Sequence, residues 1–395
     1  MIPRFEVSHD IPERVGIIVV GGGAAGVGVA FGLASLGYTD AVVLERGYIG
    51  YGSSTRNAGR FRVHFFSKEN TVFAAKSREI ILEIAKKARI NPVIVPGGYL
   101  WLFEDEGMFK RFIEFNEHVW KPLGYPVRLL DINDLSERYP YLNVEGLVGS
   151  ALGVENGSYH HDYLLLAQAV YAYERGVRFI EGAHVDEVIV EAGRVKGVRV
   201  KGHGTVYADN VVIAAGAWSK ELVSRIGIDI PAHPQRKSLL VTEPYKFMIE
   251  PLVIFFEEHG YIGQTLKGEI IASKGYPGEP RDSDYSKIEF KWLVETSRLV
   301  AERLKGGSRL RPMRIWSGAY YVTPDHSHIL GRDDEWPEGL YINTGYSGHG
   351  MMMAPYAGIL LARLIVDGIE HEDLKLFKPT RFKEGKLIHE GLVIG

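Results

Sequence analysis

Gly21, Gly23 and Gly26, with Glu45 nineteen positions after the last of them, are the residues whose types and spacing suit chemistry on a dinucleotide. Gly21 would let the chain leave a strand in a tight turn. Gly23 has no Cβ to hold a pyrophosphate away from the backbone, and Gly26 would let the next helix pack close on the strand. The pyrophosphate would rest on unpaired N–H groups at the start of that helix, beside Ala24 and Ala25. Glu45 stands near the spacing of about 20 residues at which a carboxylate reaches ribose hydroxyls. Such a site requires a βαβ unit, and the surrounding residues supply one. Ile17-Ile18-Val19-Val20 reads as a buried strand, a helical stretch runs to Gly37, and Ala41-Val42-Val43-Leu44 leads into Glu45 and Arg46.

Further along, Ser77 to Arg89 and Met108 to Val119 carry apolar residues at helical spacing, and a helix is expected from Tyr163 to Arg175. Val185–Val190 and Val195–Val200 read as a hairpin across Glu191-Ala192-Gly193-Arg194, followed by a buried strand that breaks at Ala214-Ala215-Gly216-Ala217-Trp218. Residues 229 to 315 alternate strand-like runs with a helix expected from Ile288 to Leu304. Near the end, Leu340–Thr344 runs into Gly345-Tyr346-Ser347-Gly348-His349-Gly350 and a helix from about Met352 to Asp367, so strand, glycine turn and helix recur.

The 395 residues exceed what one core usually organises, so two domains are expected. Hydrophobic residues make up 46% and charged residues 24%, and a net charge of −3 provides no basic field for nucleic acid. The absence of cysteine excludes disulfides, thiolate nucleophiles, zinc thiolate sites and a thioether-linked cofactor. Only three glutamines and abundant charge point to a thermophilic source. Arg4, Glu6, Asp10, Glu13 and Arg14 argue against a secretion signal, and no segment approaches the roughly 20 apolar residues that span a bilayer, so a cytoplasmic location is expected. His160-His161-Asp162 and His326 with His328 have metal-like spacing, but no carboxylate cluster completes either, and no metal site is expected.

The glycine motif with Glu45, the segment Gly52 to Arg62, the strand ending Ala214 to Trp218, the stretch Trp316 to Asp325 and the turn Gly345 to Gly350 together resemble the FAD-dependent amino-acid oxidase and dehydrogenase superfamily. His259-Gly260-Tyr261, Trp316 to Tyr321, Ser347 to Pro355, and Arg381-Phe382 with Gly385 are most similar to the catalytic β subunit of the archaeal dye-linked L-proline dehydrogenases. The resemblance implies an α/β fold in which a Rossmann-like FAD-binding domain interleaves with a mixed-sheet (α+β) substrate domain. The first would comprise residues 1–85, 146–222 and 313–395, and the second residues 86–145 and 223–312. FAD would bind through Gly21, Gly23, Ala24, Ala25, Gly26, Glu45 and Arg46, with Val185 at the adenine. Ser54, Thr55, Asn57, Ala58 and Gly59 would line the flavin side, Ala215, Gly216 and Trp218 would lie close to the cofactor, Gly345 and Ser347 would also bind it, and Gly348, His349, Gly350 and Met351 would present helix N–H groups to the pyrimidine edge of the flavin. Negative charge accumulates there on reduction, which a helix N-terminus stabilises.

The resemblance also implies an arginine for a substrate carboxylate. The position that carries it in D-amino-acid and glycine oxidases corresponds to Tyr320, so the early segment Gly59 to His64 is expected to supply it as Arg62, with Arg56 and Arg60 as competitors. Tyr261 and Tyr320 would add hydroxyls or an apolar wall, and His349 would tune charge beside the flavin. The lysine that sarcosine oxidase uses to favour dioxygen corresponds to Ser273, with Lys274 on the other face of a strand, which favours a dehydrogenase. The implied reaction is oxidation of the C–N bond of a small secondary or primary amino acid, foremost L-proline to the cyclic imine, by hydride transfer to flavin N5. Electrons would pass to a dye, a quinone-type or a protein acceptor, with a partner subunit or a homo-oligomer. The alternatives are a peroxide-producing sarcosine- or glycine-type oxidase, and an FAD-holding electron-relay subunit without its own substrate.

Overall fold

A computed structural model of the protein describes residues 4–7 and 11–391, so Asp10 of the charged N-terminal stretch lies outside the described residues. The expected βαβ unit opens the fold, with the strand Arg14–Val20, the helix Ala24–Ser35 and the strand Ala41–Glu45. These strands belong to a nine-stranded sheet in which Arg178–Glu181, Ala41–Glu45, Arg14–Val20, the upper half of Gly204–Ile213 and Leu340–Thr344 run parallel. Ile17, Ile18 and Val19 are buried because helices cover one face and the hairpin Val185–Glu191 with Arg194–Val200 closes the other. The helix Ala24–Ser35 is apolar on nearly every side for the same reason. It lies between that sheet and the helix Gly350–Asp367.

The second sheet has eight strands and is mostly antiparallel. Its order is Pro312–Val322, His233–Pro244, Glu269–Lys274, Gly260–Gln264, Leu252–Phe255, Tyr99–Phe103, Gly149–Gly153 and Arg128–Leu130. Two of these strands differ from the expected division of the chain. The expected division places Gly149–Gly153 and all of Pro312–Val322 except Pro312 with the nucleotide-binding segments, yet both strands hydrogen-bond into the second sheet, where Lys237 pairs with Gly318 and Trp101 with Ala151. The helix Gly350–Asp367 corrects a second expectation. By length and composition it could cross a bilayer, but 56% of it is buried inside the protein, and its apolar surface serves the core.

Candidate active site

Two adjoining cavities occupy the boundary between the sheets. The larger, of about 250 Å³, extends from the glycine turn to the second sheet. Gly21, Gly23, Ala24, Ala25, Glu45, Arg46, Ser54, Asn57, Val185, Ala215, Gly216, Trp218, Gly345, Gly348, Gly350 and Met351 line it. Gly21 turns at φ 111°, and a Cβ there would stand 2.5 Å from the carbonyl oxygen of Ala214, so the turn tolerates no side chain. Ser54 Oγ accepts the Ala24 N–H at 2.8 Å and fixes the helix start that faces the cavity. The buried Glu45 carboxylate accepts the N–H groups of Gly22 and Gly47 at 2.7 and 2.8 Å, and its remaining lone pairs can take ribose hydroxyls. Arg46 stacks 3.8 Å above the Trp218 ring at the cavity edge. Two helix N-termini, at Ala24 and Gly350, meet this one elongated space, which fits an extended dinucleotide with anionic groups at both points.

Four expected cofactor residues, Gly26, Thr55, Gly59 and Ser347, do not line either cavity. The Thr55 hydroxyl donates to Gly50 O at 2.8 Å, Gly59 N–H donates to Asn57 Oδ1 at 2.7 Å, and Ser347 Oγ accepts from Thr323 N at 3.2 Å. Each shapes a loop that carries the lining residues. Gly26 is also outside the cavity, as its packing role requires, since a Cβ there would lie 1.9 Å from Gly21 O.

The smaller cavity, of about 110 Å³, shares Asn57, Tyr320, Gly348 and Met351 with the larger one. Its volume is less than half that of the larger cavity, which suits a ligand far smaller than a dinucleotide. Arg56, Arg60, Arg62 and Lys237 line it, and among the described residues no carboxylate does. Arg62, Tyr261, Tyr320 and His349 all reach it, as do Ala58 and Ser273. Arg62 is 2% exposed; it donates to His64 O at 3.0 Å and lies 3.1 Å from His349 Nε2 through Nη2. Because a guanidinium only donates, His349 Nε2 is the acceptor and its proton sits on Nδ1. Burial and the adjacent Arg62 hold His349 well below the usual histidine range, so the ring is neutral. Burial pushes Tyr320 up to about 12 and Tyr261 well above the usual tyrosine value, which keeps both hydroxyls protonated as donors. The competing arginines have partners of their own: Arg56 donates to the carbonyls of Tyr51 and Gly52, and Arg60 to Gln264 O. Ser273 Oγ donates to Ser238 O at 2.8 Å, and Lys274 turns away to Glu258 at 2.7 Å.

The sequence reading missed Lys237, Tyr99 and Tyr159 on this cavity and Tyr285 on the larger one. Lys237 is paired with Glu279 and stands 5.7 Å from the Tyr320 ring centre. The Tyr159 hydroxyl is buried without a protein partner. No local motif marks these residues, because each reaches the site from a different strand or loop. His160 and His161 begin a helix, while His328 is sandwiched between Phe377 and Tyr346 at 4.0 and 5.0 Å.

Comparison with known proteins agrees with this geometry. The chain is 27% identical to a sarcosine oxidase β subunit of Rhodobacter capsulatus, over 98% of this chain and 93% of that protein. It is 31% identical to L-proline dehydrogenase from P. horikoshii, whose crystal structure matches with a TM-score of 0.88 over 95% of this chain and 100% of the other. Glycine oxidase from Geobacillus kaustophilus shares the fold, with a TM-score of 0.84 at 23% identity over 94% and 99% of the two chains. The profile of the FAD dependent oxidoreductase family, DAO, covers residues 16–364; the chain belongs to this family and uses FAD, held without a cysteine link.

Proposed function

We propose that the chain is an amino-acid dehydrogenase that oxidises the C–N bond of a small secondary or primary amino acid, L-proline foremost, to the imine. One observation carries the reading: a small cavity with cationic lining and, among the described residues, no carboxylate adjoins the cofactor cavity, and Arg62 reaches it. Arg62 would take the substrate carboxylate in paired charge-assisted hydrogen bonds, which fixes the direction of the Cα–H bond. Neutral His349, which also lines the cavity, holds that guanidinium through Nε2. Tyr261 and Tyr320 would donate from the walls, and Leu252 with Met352 would exclude water. Bound FAD supplies the hydride acceptor at N5. The 31% identity to an L-proline dehydrogenase favours proline, and Ser273 at the position of the oxidase lysine favours an acceptor other than dioxygen, such as a quinone or a protein. Similarity to a β subunit supports operation with a partner subunit.

The resemblance to sarcosine oxidase β subunits keeps a peroxide-producing oxidase as the second reading. Anaerobic spectra of the holoenzyme with L-proline, D-proline, sarcosine and glycine separate the two. Bleaching of the flavin by L-proline alone is expected. Bleaching by sarcosine or glycine with peroxide formed in air would select the oxidase, and a flavin that no amine reduces would leave only an electron-relay role. Arg62→Ala should raise KM at least about 30-fold, the low end for truncating a buried charged partner, while FAD content stays level. Unchanged substrate dependence would refute the assignment of Arg62.

A further inference from the structure

A buried carboxylate, Glu390, meets the turn that follows Arg62. Glu390 is 4% exposed although it is more than 300 residues from the loop it touches. Its Oε1 accepts the Phe66 N–H at 2.8 Å. Its Oε2 accepts the Ser67 hydroxyl at 2.7 Å and Asn70 Nδ2 at 3.3 Å. These donors form the turn into the helix Lys68–Lys87, directly after Arg62, and the positive end of that helix favours an anion there. Glu390 is also the charge that most favours the protonated form of the Arg62 guanidinium.

The segment bearing Glu390 is fastened in turn. Asp325 Oδ2 accepts the Ile388 N–H at 3.2 Å, Asp325 O accepts the Glu390 N–H at 3.3 Å, and Arg381 grips the Asp325 carboxylate with two bonds of 2.7 and 3.0 Å. Asn70 is tied to the same stretch through Ser327 Oγ at 2.8 Å. A set of buried polar contacts thus runs from Arg381 through Asp325 and Glu390 to Phe66 and Ser67, in the same segment as Arg62, and Arg62 itself meets His349. Four separated parts of the sequence meet in it: the segment with Arg62 and Asn70, the segment with Asp325 and Ser327, His349, and the segment with Arg381 and Glu390. A helix start could be capped by Ser67 alone, so a remote buried carboxylate with three donors on this one turn is more than the helix requires.

We propose that Glu390 is a positioning residue for the substrate: by clamping Phe66, Ser67 and Asn70 it sets the Arg62 guanidinium against His349 in the geometry that receives a carboxylate. This rests on the assignment of Arg62 as the carboxylate ligand. Glu390→Gln preserves shape but offers an amide N–H₂ where donors already converge, and Glu390→Ala removes the clamp. In the holoenzyme both variants should raise KM for L-proline about tenfold or more, with kcat within about threefold of wild type and FAD content unchanged. Acetate, used as a small carboxylate and followed by its perturbation of the flavin spectrum, should bind about tenfold more weakly. Amide exchange across residues 62–70 should accelerate.

Val198→Ala, a core change in the other sheet, serves as the stability control and should leave KM and acetate affinity unchanged despite a lower Tm. Faster exchange in 62–70 with wild-type KM and acetate affinity would overturn the positioning role, as would unaltered exchange. A KM increase matched by Val198→Ala at equal Tm loss would reduce Glu390 to a general stabiliser and also overturn it. If wild type is not reduced by L-proline, the proline reading fails on its own, and acetate affinity with exchange still decides the role of Glu390. If Glu390→Ala does not fold, Glu390→Gln decides.

Discussion

Replacing Gly358 with alanine would drive a methyl group into the backbone of the facing helix. The helices Ala24–Ser35 and Gly350–Asp367 cross with main chain against main chain: a Cβ on Gly358 would stand 2.0 Å from the C and O of Gly28, and one on Gly28 2.5 Å from Ala354 O. Restoring ordinary contact at 3.4 Å requires a retreat from 2.0 Å, a separation of 1.4 Å that no rotamer change can supply. Glycine to alanine inside a helix normally stabilises by about 0.5–1 kcal/mol, so the sign should be reversed here. Overpacking costs about 1–3 kcal/mol, and contact with rigid backbone puts this case at about 3. With about 2.1 cal/mol/K per residue of unfolding entropy over 395 residues, Tm should fall by about 4 °C. These two helices also present their N-termini to the cofactor cavity, so their separation loosens the contacts to FAD at both ends. Loss of one or two net hydrogen bonds of about 1 kcal/mol each weakens FAD binding roughly 5- to 30-fold.

The assay is FAD retention on dilution, followed by flavin fluorescence, together with thermal unfolding of the apoprotein. Gly368→Ala is the control: it strains the left-handed cap at φ 70° of the same helix, where a Cβ meets nothing within 4 Å, so it should lower Tm without weakening FAD. A Gly358→Ala protein with wild-type Tm and wild-type FAD affinity would refute the reasoning.

Acid stability should depend on His64, which burial between Trp101 and Trp120 pushes down to about 4. The folded value lies below the unfolded value of about 6.5, so the unfolded chain binds the extra proton. Stability is then complete above about pH 6.5 and is lost as the pH falls towards 4, by about 3 kcal/mol. Urea midpoints at pH 7 and 4.5 should differ less in His64→Gln than in wild type, and equal differences would exclude His64 as the cause. Arg381→Met would leave Asp325, whose side chain has no exposed surface, as an unpaired buried carboxylate. Breaking such a pair costs about 3–5 kcal/mol, and Asp325→Asn in the same chain should recover part of it in denaturant titrations. No recovery in the double variant would show that the ion pair is not the source of the loss.

The local patterns that were legible in the sequence share one physical origin. The strand Arg14–Val20, the helix Ala24–Ser35 and the strand Ala41–Glu45 follow from apolar periodicity and glycine chemistry within one short stretch, as do the hairpin after Val185 and the helix after Gly348. Sheet membership was not legible. Gly149–Gly153 and Pro312–Val322 are small-residue and apolar runs that fit either sheet, and only hydrogen bonds to distant strands decide between them. The same limit explains Thr55 and Ser347, which stand beside cavity residues in sequence but turn their hydroxyls to carbonyl or amide groups of the loops.

By itself the sequence determined that a dinucleotide-binding βαβ unit opens the chain, that a second glycine turn precedes a helix near its end, and that no cysteine chemistry takes part. These are properties of neighbouring residues, fixed by turn geometry and side-chain type. Tertiary structure decided which cations share a cavity, that Lys237, Tyr99 and Tyr159 line it together with Arg62, and that Glu390 comes to lie against the turn that follows that arginine. Those placements depend on strands and loops distant in sequence coming together, and for Lys237 and Tyr99, which sit on strands, a one-residue change of register would turn each side chain to the opposite face.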